Sequence, residues 1–243
     1  MKTIDIIIPV YYGNADELEQ SLKTQIDYYE KGLREYAWHI VVAINGPLTQ
    51  SLMGKIKLIT GLSGHVRYEH IPTAGKGAGI IDAWQQSQAD IRVYMDVDLA
   101  TDLHSLKELV TPLEEDYDIC VGSRYHRDSK VFRSWRRRTI SKIYHRFFLN
   151  FILGVKFTDG QCGFKAVTAR VVREILPEVQ DKGWFFESEM LFLAERAGFK
   201  IKEIPVTWKE TARSSVNLVT TIPSFVLGVF RLLISKYLWS HKK

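Results

Sequence analysis

The chain is short of several things, and each shortage narrows what it can be. Among 243 residues there are only two cysteines, Cys120 and Cys162, in apolar or glycine-rich settings. Neither makes a metal-ligand spacing, so a disulfide framework and a zinc module are excluded and a reduced compartment is expected. Seven prolines and sixteen glycines are scattered without a Pro/Ser/Gly-rich linker, and no internal repeat is present. The opening Met1-Lys2-Thr3-Ile4-Asp5 carries an acid where a secretory leader needs an apolar run. No transmembrane helix is expected either. The longest charge-free stretch, Ser214–Phe230, holds Asn217, Pro223 and several hydroxyl residues, too polar for a hydrocarbon layer of about 30 Å.

What is present fits a folded α/β domain: 46% apolar and 25% charged residues. The net charge of +5 conceals an uneven distribution. Arg124–Arg146 holds nine basic residues against the single acid Asp128, and after Glu210 there are five basic residues and no acid, which leaves the rest at −8. The chain reads as an acidic body bearing two basic patches.

Short β-rich runs at Asp5–Val10, His39–Ile44, Val66–His70, Ile91–Asp96 and Tyr117–Val121 alternate with amphipathic segments at Ala15–Lys31, Gln50–Ile59, Gly77–Gln88 and Asp102–Glu115. Alternation of this kind predicts a mostly parallel sheet with helices on both faces, and ligands beyond the carboxyl ends of its strands. Further on, the periodicity predicts helices over Ser134–Leu153 and Glu187–Ala197 and a strand over Ile201–Trp208. We read one domain over residues 1–215 with a membrane-facing appendix, an amphipathic interfacial helix, over 216–243.

Asp96-Val97-Asp98 falls at the end of the fourth strand. Two carboxylates one residue apart can converge on a hard divalent cation, or they can merely cap the helix that follows. Lys76-Gly77-Ala78-Gly79 precedes a helix, where backbone N–H groups and a lysine can hold phosphate. It has neither Walker nor dinucleotide-binding spacing, and a plain glycine-rich turn explains it equally well. Asn45 can read a base edge or serve as a turn residue before Gly46-Pro47. Arg124, Arg133, Arg136, Arg137 and Arg138 suit an anionic partner, because guanidinium forks bind phosphate bidentately. Nucleic acid is the rival, opposed by the apolar stripe Ile140, Ile143, Tyr144, Phe147, Phe148 and Phe151 that follows at helical spacing. That stripe suits a core or an interface alike. In the tail, Ile222, Phe225, Val226, Val229, Phe230, Leu233, Ile234, Tyr237 and Leu238 form an apolar face, with Arg231, Lys236 and Lys242-Lys243 as a cationic edge. The face suits docking on its own domain or on a partner subunit, but with no acid after Glu210 the reading taken is a helix lying on an anionic membrane surface.

Together these motifs resemble, in order, glycosyltransferase family 2 enzymes of the GT-A fold, and among them the polyprenyl-phosphate hexose transferases. Ile6-Ile7-Ile8-Pro9-Val10-Tyr11 is similar to the family's first-strand nucleotide motif, with Tyr12-Gly13 replacing the usual Asn-Glu. Asp96-Val97-Asp98 corresponds to its metal motif. Gly122-Ser123-Arg124-Tyr125, Trp135 and Arg137-Arg138-Thr139-Ile140-Ser141 resemble the acceptor-phosphate segment of dolichyl-phosphate mannose synthases. Asp159-Gly160-Gln161-Cys162-Gly163-Phe164-Lys165, Trp184-Phe185-Phe186-Glu187-Ser188-Glu189 and Asp98-Leu99-Ala100-Thr101 are closer to the dolichyl-phosphate β-glucosyltransferase branch. Asn45 stands where the family has an acid, Ala100 cannot supply the mannose synthases' additional metal ligand, and the loop after Trp208 lacks their Gly-Ser-Lys pattern.

The resemblance implies an inverting, metal-dependent transfer of a hexose, glucose from UDP-glucose, to a polyprenyl or dolichyl phosphate at the cytoplasmic face of a membrane. GDP-mannose is the alternative donor, and a non-catalytic lipid-binding relative the alternative class. It implies Mg²⁺ or Mn²⁺ on Asp96 and Asp98, with Asp98, Glu189 and Arg124 as catalytic groups. Pro9, Tyr11, Asn45, Lys76, Asp96 and Arg213 are expected at the nucleotide sugar, Arg124, Arg137 and Ser141 at the acceptor phosphate, and Glu187 beside Glu189. The implied partners are the nucleotide sugar, the lipid and a peripheral membrane surface, and not nucleic acid.

Overall fold

In the computed structural model, residues 1–11, 15–61, 63–211 and 218–240 are described. Strands β1 (Lys2–Val10), β2 (Tyr36–Asn45), β3 (Val66–Ile71) and β4 (Ile91–Met95) are joined by helices α1 (Ala15–Gly32), α2 (Gln50–Thr60) and α3 (Lys76–Gln86). Then come α4 (Leu106–Glu115), β5 (Ile119–Ser123), β6 (Lys130–Phe132), α5 (Trp135–Ile143), β7 (Phe164–Thr168), α6 (Ala169–Glu174), α7 (Phe186–Arg196), β8 (Ile201–Pro205), β9 (Thr207–Lys209) and α8 (Leu218–Ser240). The main sheet runs β3-β2-β1-β4-β7-β5-β8, and β6 pairs with β9 in a second, two-stranded sheet. Every pairing in the main sheet is parallel except the two made by β7, which runs antiparallel to β4 and β5.

The sheet is mostly parallel because its strands are apolar on both faces. Along β1, Ile4, Ile6 and Ile8 enter one core with α1, α2 and α4, while Ile7 enters the other with α3 and α7. Asp102 caps as expected, its carboxylate accepting the His104 N–H at 3.0 Å, but it opens a 3₁₀ turn, Leu103–Ser105, ahead of α4.

Three expectations need correction. The helix over Ser134–Leu153 changes winding at Tyr144: α5 is α-helical, and Tyr144–Leu153 is π-helical. The wider turn sets an i, i+4 repeat, so His145, Leu149 and Leu153 are buried while Phe147 and Phe151 face outward. The strand over Ile201–Trp208 is divided at Val206, because β8 pairs with β5 and β9 with β6. The tail docks on its own domain, the alternative reading, and its apolar residues do not share one face. On α8, Val229 and Leu232 are buried in the domain, whereas Ile222, Val226, Leu227, Phe230 and Ile234 are exposed. Gly228 lets the helix approach closely, since a Cβ there would lie 2.4 Å from the Phe185 ring. Arg231 is not a cationic edge; it donates to Glu189 at 2.7 Å. The side chains of Lys236, Tyr237 and Leu238, and residues 241–243, lie outside the described residues.

Candidate active site

The carboxyl ends of β1, β2 and β4 open into a cavity of about 950 Å³. Pro9, Tyr11, Asn45, Lys76, Asp96 and Asp98 line it together with Arg124, Arg137 and Ser141, so the topology gathers residues spread over 133 positions into one space. Arg213 lies outside the described residues. The same cavity has an apolar wall from α5, the π-helical segment and α8: Ile140, Ile143, Phe148, Ile222, Phe225 and Val226.

Asp96 and Asp98 sit on the turn that leaves β4. The Asp96 carboxylate accepts from the Tyr94 hydroxyl at 2.9 Å and lies 3.1 Å from Lys76 Nζ. Asp98 accepts from the Ala100 N–H at 3.1 Å and from the Thr211 hydroxyl at 2.8 Å. Burial, and then the neighbouring charge of Asp96, push the Asp98 carboxyl above its ordinary value. Between Asp98 and Ala100, Leu99 adopts φ 51, a left-handed conformation that costs an ordinary side chain about 1–2 kcal/mol. Gly163 closes against the pair: a Cβ there would meet Asp96 Oδ2 at 1.8 Å, so only glycine leaves the carboxylate in place.

Lys76 is held between acids and rings. Its ammonium lies 3.3 Å from Glu187 and over the Trp184 and Tyr94 rings at 4.6 and 5.1 Å. Burial disfavours its charge, yet Asp96 and Glu187 outweigh that and raise its pKa. At the start of the helix it begins, the backbone favours the glycine-rich turn over the phosphate cradle. The N–H groups of Gly77 and Ala78 donate to the carbonyls of Gly183 and Lys182, at 3.1 and 2.9 Å. Asn45 Nδ2 donates to the Gly75 carbonyl, which fixes the amide at the mouth of β2.

Of the two glutamates expected at the site, Glu187 and not Glu189 reaches the cavity. Glu187, 1% exposed, reaches the cavity and pairs with buried Lys165 and with Lys76. Glu189 is absent from the cavity lining; it accepts the Asp181 N–H and Arg231, both at 2.7 Å. On a helix, positions two apart point to different sides, so the motif Glu187-Ser188-Glu189 can deliver only one carboxylate to a given face.

The basic end is more neutralised than its sequence suggests. Arg124 makes a fork with Asp159, at 2.7 Å from Nε and 2.8 Å from Nη2, and its own N–H adds a third bond at 3.0 Å. His145 joins the group: Nε2 lies 3.2 Å from Asp159 and Nδ1 lies 2.7 Å from the Ser141 carbonyl. Burial alone would raise the Asp159 pKa, but Arg124, and then His145, hold it well below the ordinary range. Arg137 donates to Glu210 at 3.1 Å, and Ser141 accepts from the Tyr125 hydroxyl at 2.6 Å. Arg133 also lines the cavity; burial, then the charge of Arg124, lower its pKa. Both guanidinium groups, of Arg124 and Arg133, lie over the Trp208 ring, at 5.4 and 5.5 Å from its centre. Neither thiol takes part, since burial pushes both Cys120 and Cys162 up to about 12.

The sequence model of glycosyl transferase family 2 matches residues 5–176, so the chain belongs to that family. Among its curated relatives is the glycosyltransferase AglD of Haloferax volcanii, 30% identical over 222 residues, covering 90% of this chain and 35% of AglD. A dolichyl-phosphate beta-glucosyltransferase of Saccharomyces cerevisiae is 27% identical over 183 residues, covering 65% of this chain and 54% of the yeast protein. The chain therefore spans between a third and about half of these two relatives. Among solved structures, glucosyl-3-phosphoglycerate synthase of Mycobacterium tuberculosis in complex with UDP superposes with a TM-score of 0.65 at 18% identity, over 96% of this chain and 79% of that one. Mannosyl-3-phosphoglycerate synthase of Rubrobacter xylanophilus gives 0.68 at 12% identity, over 100% and 76%. At such identities the likeness is one of fold, and the fold is the expected GT-A arrangement.

Proposed function

We propose that this chain is an inverting, metal-dependent glycosyltransferase that moves glucose from UDP-glucose to a polyprenyl phosphate at a membrane surface. One observation carries the reading: a single cavity joins a carboxylate pair, an arginine-lined end and an apolar helical wall. These suit, in turn, a metal–diphosphate, an acceptor phosphate and an isoprenoid chain. The curated relatives named dolichyl-phosphate beta-glucosyltransferase support the acceptor and the sugar. A fold neighbour described with Mn²⁺, UDP and glucosyl-3-phosphoglycerate supports the donor and the cation.

The residues fit a hard divalent ion. Asp96 and Asp98 offer oxygen ligands; the Asp98 carboxyl is raised by burial first and by the Asp96 charge second, and a cation there would offset both. Among the described residues no third acid, histidine or cysteine completes the group, which suits an ion that shares its shell with water and substrate phosphates. Bound there, Mg²⁺ or Mn²⁺ supplies charge neutralisation for a departing diphosphate. Lys76 steadies Asp96, and Glu187 in turn steadies Lys76. A phosphomonoester acceptor is already ionised near neutral pH, so an acceptor oxygen forms the new bond to the anomeric carbon without a strong base. The bond to the diphosphate breaks on the opposite face, which inverts the configuration. Alignment of two anions is the main task, and Arg124, immobilised by Asp159, contributes a guanidinium already in place.

The outward face of the same helices supports membrane docking. Trp135, Ile143, Phe147, Phe151, Leu227 and Phe230 are exposed beside Arg136, Arg138, Lys142 and Arg146. Through this surface we propose a peripheral attachment at the cytoplasmic face; among the described residues no helix is long and apolar enough to cross a bilayer.

A calorimetric donor scan tests the nucleotide assignment. UDP with Mn²⁺ or Mg²⁺ is expected to bind, and GDP about tenfold or more weakly, since the amide at position 45 lacks the carboxylate that would accept guanine's adjacent donors. Preference for GDP would select the mannosyl donor instead.

A further inference from the structure

The turn after β9 places two consecutive side chains on the two chemically opposite parts of the cavity. Glu210 turns toward the arginines. Its Oε2 accepts the Ser134 N–H, at the start of α5, at 3.0 Å, and its Oε1 accepts from Arg137 Nη1 at 3.1 Å. Arg133 Nε stands 3.7 Å from the same oxygen, buried and without a hydrogen-bond partner. Thr211, the next residue, donates its hydroxyl to Asp98 at 2.8 Å. Glu210, Thr211, Arg133, Arg137 and Asp98 all line one cavity.

An anion held by a helix-start N–H and flanked by two guanidinium groups is the arrangement in which proteins hold phosphate. The carboxylate fills it incompletely. One negative charge faces two positive ones, and Arg133 is left with a buried donor unpaired. A phosphate monoester, with three terminal oxygens and up to two charges, can serve both arginines and the N–H together.

We propose that Glu210 is an internal stand-in for the acceptor's phosphate, and that its release is tied to Asp98 through Thr211. The two residues share one backbone turn, so a shift of that turn that takes Thr211 from Asp98 also carries Glu210 away from Arg133 and Arg137. Loading of the carboxylate pair with cation and donor competes for the Asp98 oxygen that Thr211 occupies. The acceptor seat therefore opens after the donor side fills, which protects the donor from attack by stray anions. The inference rests on the reading of the arginine end as the acceptor-phosphate seat.

The test is calorimetry on the full chain, with inorganic phosphate and with farnesyl phosphate as probes, with and without UDP and Mn²⁺. Wild type is expected to bind phosphate weakly alone and more tightly once UDP and Mn²⁺ are present. Glu210→Gln is expected to bind phosphate about tenfold more tightly than wild type without them, and to lose the dependence on them. Glu210→Asp, which keeps the charge, is expected to resemble wild type. Thr211→Val, which keeps the carboxylate but cuts the tie to Asp98, is expected to lose most of the dependence on UDP and Mn²⁺; a variant that keeps the full dependence would overturn the tie. Unchanged or weaker phosphate binding by a Glu210→Gln protein with wild-type circular dichroism would overturn the proposal and leave Glu210 as a helix cap. If phosphate behaves as expected but farnesyl phosphate binds no more tightly than phosphate, the stand-in holds and the isoprenoid acceptor reading fails.

Discussion

Asp98→Asn is expected to reduce sugar transfer by about a hundred- to a thousandfold while leaving the fold as stable as wild type or more so. The two halves of this expectation have one cause. Asp98 is buried beside Asp96, and its carboxyl is raised by that burial first and by the neighbouring charge second. An asparagine of the same shape can still accept the Ala100 N–H and meet the Thr211 hydroxyl, but it brings no second negative charge. The sign of the pH effect follows. A carboxyl raised on folding binds its proton more tightly in the native state, so wild-type stability declines as pH rises above the ordinary value of 3.8 and through the raised one. Asp98→Asn lacks that decline. Thermal melts across this range, with and without Mn²⁺, check both parts: the ion should stabilise wild type and leave the variant unmoved. A variant less stable than wild type in the metal-free state would show that the aspartate is a structural cap rather than a strained ligand.

Asp159→Ala is expected to give the largest loss of stability of any single change at the site, about 3–5 kcal/mol, because it strands buried Arg124 beside buried His145. Asp159 is fully buried and accepts from the Arg124 N–H and side chain and from the Gln161 N–H. Its carboxyl is held far below 3.8, so the stability it contributes is complete above that value and is lost as the pH falls through the depressed one. Urea denaturation at neutral and acidic pH reads both effects. The double change Asp159→Leu with Arg124→Met should recover much of the stability, since two apolar side chains leave no unpaired charge, and should not recover transfer. A loss of under about 1 kcal/mol for Asp159→Ala would place the pair with exposed ion pairs and remove the rigid-guanidinium argument.

Much of this architecture is legible in the sequence, and the reasons are local. The runs Ile4–Val10, Ile40–Ile44 and Ile91–Met95 are too apolar to be anything but doubly covered strands, and the first two end in Pro9-Val10-Tyr11 and Asn45-Gly46. Asp96-Val97-Asp98 is recognisable because it follows such a strand. β7 is not legible: Phe164–Thr168 carries Lys165 as its second residue, one that reads as exposed until Glu187, 22 positions away, neutralises it. The same long-range pairing decides which glutamate of Glu187-Ser188-Glu189 faces the cavity. Arg231 selects Glu189, and nothing near either residue in the chain announces it. The start of α3 looked like a phosphate cradle because its glycines are visible in the sequence, whereas the Lys182 and Gly183 carbonyls that close it are set by tertiary packing. Charge counting located the basic segment correctly and overstated its freedom, since Asp159 and Glu210, both outside Arg124–Arg146, return to neutralise it.

Transfer itself is the most direct test of the central claim. Purified chain is incubated with Mn²⁺, a polyprenyl phosphate in detergent or vesicles, and UDP-[¹⁴C]glucose, and the organic phase is counted. Label in the lipid that depends on the divalent ion and disappears in Asp98→Asn is the result predicted here. A lipid phase that stays unlabelled with UDP-glucose, GDP-mannose and every other nucleotide sugar tried, from protein that still binds UDP, would contradict it.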